Sequence, residues 1–174
     1  MPQALSDWRM ARSFIGNNGT ASLESAELDF NIGTREAIEI ASVYGHLPVT
    51  VITTSTSIAP VHAVQSLRVE DGTVEVLSND AADADQFDND SEVIFEQNKT
   101  FVSFDVATEG GGPAVAQSPT GQIVFANPIL SAINLTHVVE NVGLTTVGGL
   151  LLIEYRYVSL SDRELAFQFA RRRR

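Results

Sequence analysis

Cysteine is absent from this sequence of 174 residues. Disulfides, thiolate metal sites and cysteine nucleophiles are therefore excluded, while the redox compartment is left open. Long apolar runs are missing as well. The longest candidate, Gly148–Ile153, is far shorter than the roughly 20 residues that a membrane-spanning helix needs. The opening residues also lack the apolar core of a secretory signal, because Asp7 and Trp8 interrupt them.

Motifs that mark a catalytic or nucleotide-binding site are missing too. The sequence has no GxGxxG, phosphate-loop or GxSxG spacing. His46, His62 and His137 show none of the close spacings typical of zinc ligands. A cupin-like metal enzyme would need these histidines to converge in the fold, and it is kept as a minor alternative. We therefore expect a protein that is not an enzyme.

Basic residues are scarce and unevenly placed. Eleven Lys and Arg stand against 22 Asp and Glu, which gives a formal net charge of -11. Six of the eleven are Arg9, Arg12 and the run Arg171–Arg174, so the pattern predicts an acidic body with two basic ends. The arginine run suits non-specific contact with nucleic acid phosphates, anionic lipid or an acidic protein, but not the reading of a specific nucleic acid sequence. A solvated tail is the plain alternative.

One acidic loop is the candidate for an ion site. Within DAADADQFDND, the carboxylates of Asp83, Asp85 and Asp88 are closely spaced, and oxygen clusters of this kind bind Ca²⁺. The loop lacks the glycine and the closing glutamate that an EF-hand needs in that register. A solvated acidic loop is the alternative. We expect no other cofactor.

Short β-branched segments with period-two alternation dominate the middle of the chain. A helix is also compatible with Ile38–Tyr44, but its alternation and the following Pro48 favour a strand. Asp71-Gly72 predicts a hairpin turn before TVEVL. We predict further strands at Glu27–Ile32, Val49–Ser57, Val61–Val69, Glu92–Glu96, Thr100–Ala107, Gln122–Ala126, Asn134–Glu140 and Leu150–Val158. The predicted fold is all-β: an antiparallel β-sandwich or jelly-roll barrel of about eight or nine strands.

A short C-terminal helix follows the last strand. Ser161 and Glu164 have the spacing of a capping box, and Leu160 and Leu165 that of a hydrophobic staple. So short a helix is unstable alone and must bury its apolar residues against the body or a neighbouring subunit. The chain thus divides into an N-terminal arm (residues 1–23), a β-barrel domain (24–160) and a capped helix with an arginine tail (161–174).

This layout resembles a viral structural protein. In size, acidity and scarcity of lysine, the sequence is most similar to the small major capsid proteins of icosahedral, membrane-containing viruses of haloarchaea and their thermophilic bacterial relatives. In those families single jelly-roll barrels stand upright on the capsid surface and associate into capsomers. The resemblance covers residues 24–169 and is one of layout, without a diagnostic motif. The capped terminal helix has no counterpart that we can assign to the family.

The resemblance implies a virion protein that assembles with copies of itself and with other capsid proteins. Its ends would order on assembly, and its arginine tail would contact an anionic membrane or the genome. The expected interface residues in the arm and the tail are Trp8, Arg9, Arg12, Phe14, Leu165, Phe167, Phe169, Arg171, Arg172, Arg173 and Arg174, because aromatic residues and arginines are frequent energetic centres of interfaces.

Two alternatives remain beside this expectation. One is a β-sandwich module that binds a glycan or a protein, although the single Trp lies in the arm and offers no carbohydrate platform. The other is a tail or decoration protein of a tailed virus, which the sequence does not separate from a capsid subunit.

Overall fold

A computed structural model describes residues 2–17, 23–51, 60–69, 93–102, 115–117, 120–132, 134–142 and 145–171. This part of the chain forms eleven strand segments and one helix. They are β1 (Gln3–Ala4), β2 (Arg9–Asn17), β3 (Leu23–Leu28), β4 (Glu36–His46), β5 (Val49–Val51), β6 (Pro60–Arg68), β7 (Val93–Val102), β8 (Val115–Gln117), β9 (Thr120–Ser131), β10 (Leu135–Val142), β11 (Thr145–Ser159) and α1 (Asp162–Arg171).

In three cases, two consecutive segments pair with the same neighbouring strand and together form one longer strand. β1 and β2 pair with one side of β11, β4 and β5 pair with its other side, and β8 and β9 pair with the far side of β5 and β4. The eleven segments therefore form eight strands in space, in two antiparallel sheets. Sheet A has the order β2–β11–β4–β9, and sheet B has the order β3–β10–β6–β7.

The route of the chain between the sheets is that of a jelly roll. Apart from the step from β6 to β7, every connection between the eight strands crosses from one sheet to the other. Two four-stranded sheets joined in this way form the double Greek key of a jelly-roll sandwich. The predicted all-β fold class, its strand number and its short terminal helix are confirmed.

The main core lies between the sheets because apolar residues alternate along the strands. On the side of sheet A, β4 contributes Ile38 and Ile40 and β11 contributes Leu151 and Ile153, and all four are fully buried. Leu67, Phe95 and Leu135 of sheet B pack against them. Burial of these side chains is the dominant favourable term in the stability of such a sandwich.

The face predicted for the last strand is also confirmed. Tyr155 and Tyr157 pack against the same core as Leu151 and Ile153. The ring of Tyr155 meets that of Phe30 edge-on at 4.8 Å. The Tyr157 hydroxyl donates a hydrogen bond to the Phe30 carbonyl at 2.7 Å. The polar end of an otherwise apolar tyrosine is thus satisfied inside the barrel.

Helix α1 begins as the sequence predicts. The Ser161 amide donates to a Glu164 carboxylate oxygen at 2.9 Å, and the Glu164 amide donates to the Ser161 hydroxyl at 3.4 Å. These two bonds are the reciprocal pair of a capping box. Leu165 packs against a small cluster of Ala37, Val158 and Leu160, which attaches the helix to the body of its own chain.

The N-terminal segment differs from the expected arm. Residues 9–17 form β2, which pairs along β11 from Asn17 with Val147 to Arg9 with Tyr155. The sequence hides this strand because two of its inward positions carry the small residues Ala11 and Ser13, only Ile15 adds a large apolar side chain to the core, and Met10 and Phe14 point outward. Residues 9–17, which were expected in the arm, thus pair with the sheet of their own chain.

Several strand boundaries also differ from the prediction. Glu92–Glu96 and Thr100–Ala107 were expected as two strands, but Val93–Val102 is continuous as β7. The predicted strand Glu27–Ile32 ends earlier, at Leu28, because Asn31 has a positive φ of 49° and its amide donates to the Asp29 carboxylate at 2.8 Å. The predicted hairpin at Asp71-Gly72 lies outside the described residues.

Candidate functional site

Large apolar side chains are exposed at both edges of sheet A. The described part of the chain has six such side chains, and they are Leu5, Trp8, Met10, Phe14, Ile123 and Val124. The first four belong to β2 or to the segment between β1 and β2, and the other two belong to β9. Val124, Phe14 and Met10 are 70%, 63% and 61% exposed. Scattered single apolar residues are ordinary at a protein surface, but a concentration on one sheet indicates a contact surface.

Strand alternation explains why Met10, Phe14 and Val124 face outward. Ser13 points into the barrel, so Met10 and Phe14 point to the opposite face of β2. Met10 pairs with Glu154 of β11, Glu154 pairs with Ser42 of β4, and Ser42 pairs with Val124 of β9. Met10 and Val124 therefore lie on one outer face, at its two edges.

Polar pairs occupy the middle of this outer face. The Arg156 guanidinium donates to Glu39 at 2.6 Å, and the Ser42 hydroxyl donates to Glu154 at 2.9 Å. Trp8 covers the first pair, with its ring centroid 4.6 Å from the Arg156 guanidinium carbon. Stacking of this kind combines a cation–π attraction with burial of the arginine stem. Trp8 is thus held on its own chain while 41% of its surface remains open.

The sequence-predicted interface residues are only partly brought together. Trp8, Arg12 and Phe14 lie on the outer face of sheet A, whereas Arg9 lies over the Tyr157 ring at 5.7 Å. Leu165 packs on the body at the start of α1. The side chains of Phe167, Phe169 and Arg171 are outside the description, as are Arg172, Arg173 and Arg174. The three carboxylates of the candidate Ca²⁺ loop, Asp83, Asp85 and Asp88, also lie outside the described residues.

Sequence reasoning missed the exposed apolar residues of β9 and Met10 of β2. The sequence predicts a strand that includes Ile123 and Val124, but it does not show that this strand lies at the edge of a sheet. A usable signal was present nonetheless. Thr120–Ser131 contains no charged residue, although 19% of the chain is charged.

A cluster of polar side chains lies inside the barrel. Ser13 Oγ and His137 Nδ1 share a hydrogen bond of 2.8 Å that joins β2 of sheet A to β10 of sheet B. Nearby, Gln65 donates to Gln97 at 2.6 Å. His137 Nε2 and Gln65 Oε1 are also buried, and neither atom has a hydrogen-bond partner among the described residues. A Cβ on Gly149 would lie 3.0 Å from each of these two atoms, so the glycine makes room for the cluster.

Burial holds His137 in its neutral form. Desolvation lowers the pKa of this imidazole from 6.5 to about 4, because a charged ring loses its hydration inside the sandwich. The Ser13–His137 pair is shielded from solvent on both sides, since Ser13 is 7% exposed and His137 is not exposed at all. The pair therefore acts as a tie between the two sheets, not as an accessible nucleophile and base.

A second perturbed group lies on the outer side of β10. Glu140 is almost fully buried, and desolvation raises the pKa of its carboxyl from 4.5 to about 7, opposed by the charge of Arg68.

Within the described ranges, no three His, Asp or Glu side chains are close enough together to hold a metal ion. The same part of the chain contains no helix with the length and apolar character for crossing a membrane.

Comparison with known proteins assigns no family. No protein-family model matches the sequence, and no curated protein matches it either.

Proposed function

We propose that this protein is a structural subunit of a virion, a jelly-roll capsid protein whose task is to bind copies of itself and other capsid proteins. The observation that carries the proposal is the exposure of large apolar side chains at both edges of sheet A. Tryptophan, methionine, phenylalanine and arginine are enriched in protein interfaces. The β2 edge offers all four, as Trp8, Met10, Phe14 and Arg12.

Two separate contact surfaces suit an extended assembly. A single self-complementary surface closes a dimer, while a subunit with a second surface can continue the contact to further copies. Sheet A carries apolar side chains at β2 and at β9, with β11 and β4 between them. This arrangement supports a lattice or capsomer subunit over a lone domain.

The jelly-roll topology supports the same function without deciding it. This architecture is shared by viral capsid proteins, lectins and cupins, and the function of a fold rests on its sites. A cupin-like metal site would need converging histidines. His137 lies between the sheets, whereas His46 follows the inward-facing Gly45 and lies on the outer side of sheet A. These two histidines cannot share a metal ion.

The arginine run supports a further contact inside a virion. Arg171–Arg174 follow a body that is otherwise strongly acidic. A run of this charge binds anionic lipid headgroups or the phosphates of a genome through plain electrostatics.

The test of this function is the size of the purified protein by native mass spectrometry and electron microscopy, at low and at high salt. We expect oligomers or lattices whose share grows with salt, because salt screens the repulsion between subunits of net charge -11. A protein that stays monomeric at high concentration and at every salt level would exclude assembly as its function.

A further inference from the structure

β9 is one of the two edge strands of sheet A and therefore has a side without a partner among the described strands. One side of the strand pairs with β4, from Thr120 opposite His46 to Ser131 opposite Ile38. No strand in the described part of the chain pairs with the other side. Its side chains at Thr120, Gln122, Ile123 and Val124 are exposed. An edge of this kind presents a row of unpaired backbone donors and acceptors.

The second half of β9 is protected against pairing with another strand. The register against β4 shifts between Ile40 and Ser42, so that residues 125–128 bulge out opposite Ala41. Pro128 lies in this bulge and has no amide to donate. Bulges and prolines are usual devices by which proteins block an exposed edge. The protection ends at the bulge and leaves Thr120–Val124 open.

The first half of β9 has none of these devices. The whole strand is uncharged over 12 residues. Uncharged runs are ordinary in buried central strands, and β6 has one over residues 60–67, before Arg68, but an exposed edge strand usually carries lysine or another charge. Val124 is the most exposed large apolar side chain in the described part of the chain. Among the described residues, this edge therefore has no paired strand, carries no charge and exposes an apolar side chain.

The missing charge also indicates which partner this edge fits. A nucleic acid would need basic residues on the strip, and a basic protein would need acidic ones. A second copy of this chain also has a net charge of -11, so two copies repel each other, and the repulsion is weakest where both present an uncharged surface. The β2 edge carries Arg9 and Arg12, and pairing β2 with itself would bring like charges together.

We infer that Thr120–Val124 of β9 pairs with the same segment of a second copy, antiparallel and across a two-fold axis, so that sheet A continues from one subunit into the next. Two-fold contacts are the commonest among soluble homo-oligomers. The choice of partner rests on the proposed function, but the location of the contact does not follow from it. The β2 edge then remains available for a different contact.

The absence of cysteine makes this contact directly testable, because one introduced cysteine is the only thiol. Residues directly opposite in an antiparallel pair have Cα atoms about 4.5 to 5.5 Å apart, which lies within disulfide range. With Thr120–Val124 paired to the same segment, Gln122 lies opposite Gln122 and Thr120 lies opposite Val124. Under mild oxidation, Gln122→Cys should therefore give a covalent dimer, and so should an equimolar mixture of Thr120→Cys and Val124→Cys. Ser25→Cys, at an exposed position of the β3 edge, is the matched control and should remain a monomer on denaturing gels.

A charge at the same edge gives an independent test. Val124→Glu should raise the dissociation constant of the dimer by about 10-fold or more, because each subunit then brings a carboxylate into an uncharged contact between two acidic copies. Val124→Thr keeps the β-branched shape and should leave it within about 3-fold. Circular dichroism checks that both variants are folded.

The outcomes separate the two proposals. If the parent protein associates while the cysteines do not cross-link and Val124→Glu has no effect, the β9 contact is overturned and the assembly function stands. If β9 cysteines cross-link only to a cysteine at Met10, the contact is not two-fold and the inference also fails. A parent protein that never associates overturns both.

Discussion

At the scale of single residues, His137 and Glu140 lie three positions apart on β10 and titrate in opposite senses. The folded state keeps both side chains neutral over the range in which the unfolded chain charges both. The His137 pKa falls from 6.5 to about 4, so its contribution to stability is present above pH 6.5 and is lost as the pH falls toward 4. The Glu140 pKa rises from 4.5 to about 7, so its contribution is present below pH 4.5 and is lost as the pH rises toward 7.

These two effects cancel between about pH 4.5 and 6.5, and single substitutions should reveal them. With His137→Gln, the unfolding free energy should fall by about 3 kcal/mol more than in the parent as the pH rises through this range. With Glu140→Gln, it should instead rise by a similar amount relative to the parent. Urea titrations at a series of pH values measure both slopes. Variant profiles parallel to that of the parent would contradict the assignment of these two pKa shifts.

A second residue-scale prediction concerns the glycine beside the buried cluster. A Cβ at Gly149 would lie 2.3 Å from a methyl group of Val139 and 3.0 Å from Gln65 and His137. Overpacking of this kind in a closed core costs about 1 to 3 kcal/mol, so Gly149→Ala should lower the unfolding free energy by that amount.

The control for this substitution is Gly16→Ala on the neighbouring strand. There a Cβ would meet only the Phe14 ring, at an ordinary distance of 3.7 Å, and we expect little change in urea midpoint. Equal effects at the two glycines would mean that strand propensity, not crowding at the cluster, decides the cost.

At the scale of elements, α1 depends on its capping box. Ser161→Ala removes the hydroxyl that accepts from the Glu164 amide and should destabilise the helix by about 1 kcal/mol. Amide exchange along residues 162–171 should speed up roughly 5-fold, because a loss of about 1 kcal/mol changes an equilibrium constant by about that factor. The rate in β11 should stay unchanged. Ser161→Thr, which retains a capping hydroxyl, serves as the control, and an equal change in both variants would show that the cap is not the cause.

The same elements show what local sequence signals can and cannot predict. The start of α1 follows from four consecutive residues, SDRE, because capping is a short-range interaction. The alternation of Leu151, Ile153, Tyr155 and Tyr157 likewise predicts their shared inward face. β2 was missed because its inward Ser13 is stabilised by His137, a residue 124 positions away. No local pattern contains a contact of that separation.

The residues of the candidate contact surface also differ in whether the sequence alone can identify them. Trp8 and Phe14 could be selected as contact residues because large aromatic side chains near a chain end are informative by themselves. The role of Val124 depends on β9 being an edge strand, and strand order is set by pairings across the whole chain. The sequence shows that the strand is uncharged, but only the order β2–β11–β4–β9 shows that this strand faces solvent.

At the scale of the whole molecule, the charge distribution limits where two copies can approach. The net charge of -11 opposes association over most of the surface. The edges of sheet A differ from the rest, because β9 is uncharged and β2 carries two arginines. Two unlike edges on one sheet would build an assembly in two stages, with a pair formed at one edge and larger objects formed through the other.

This order of assembly predicts distinct effects of substitutions at the β2 edge. Met10→Ser combined with Phe14→Ser removes two exposed apolar side chains while keeping the inward-facing Ser13 and the pairing with β11. We expect the dimer to persist and larger assemblies to disappear, as measured by light scattering and electron microscopy at high salt. Thr120→Ser is a conservative control on β9 and should assemble like the parent. Because the two serines lie on a surface already open to water, the unfolding free energy should change by less than about 0.5 kcal/mol. If the double variant forms lattices as readily as the parent, the apolar β2 edge contributes nothing to assembly, and the argument that connects its exposure to function fails.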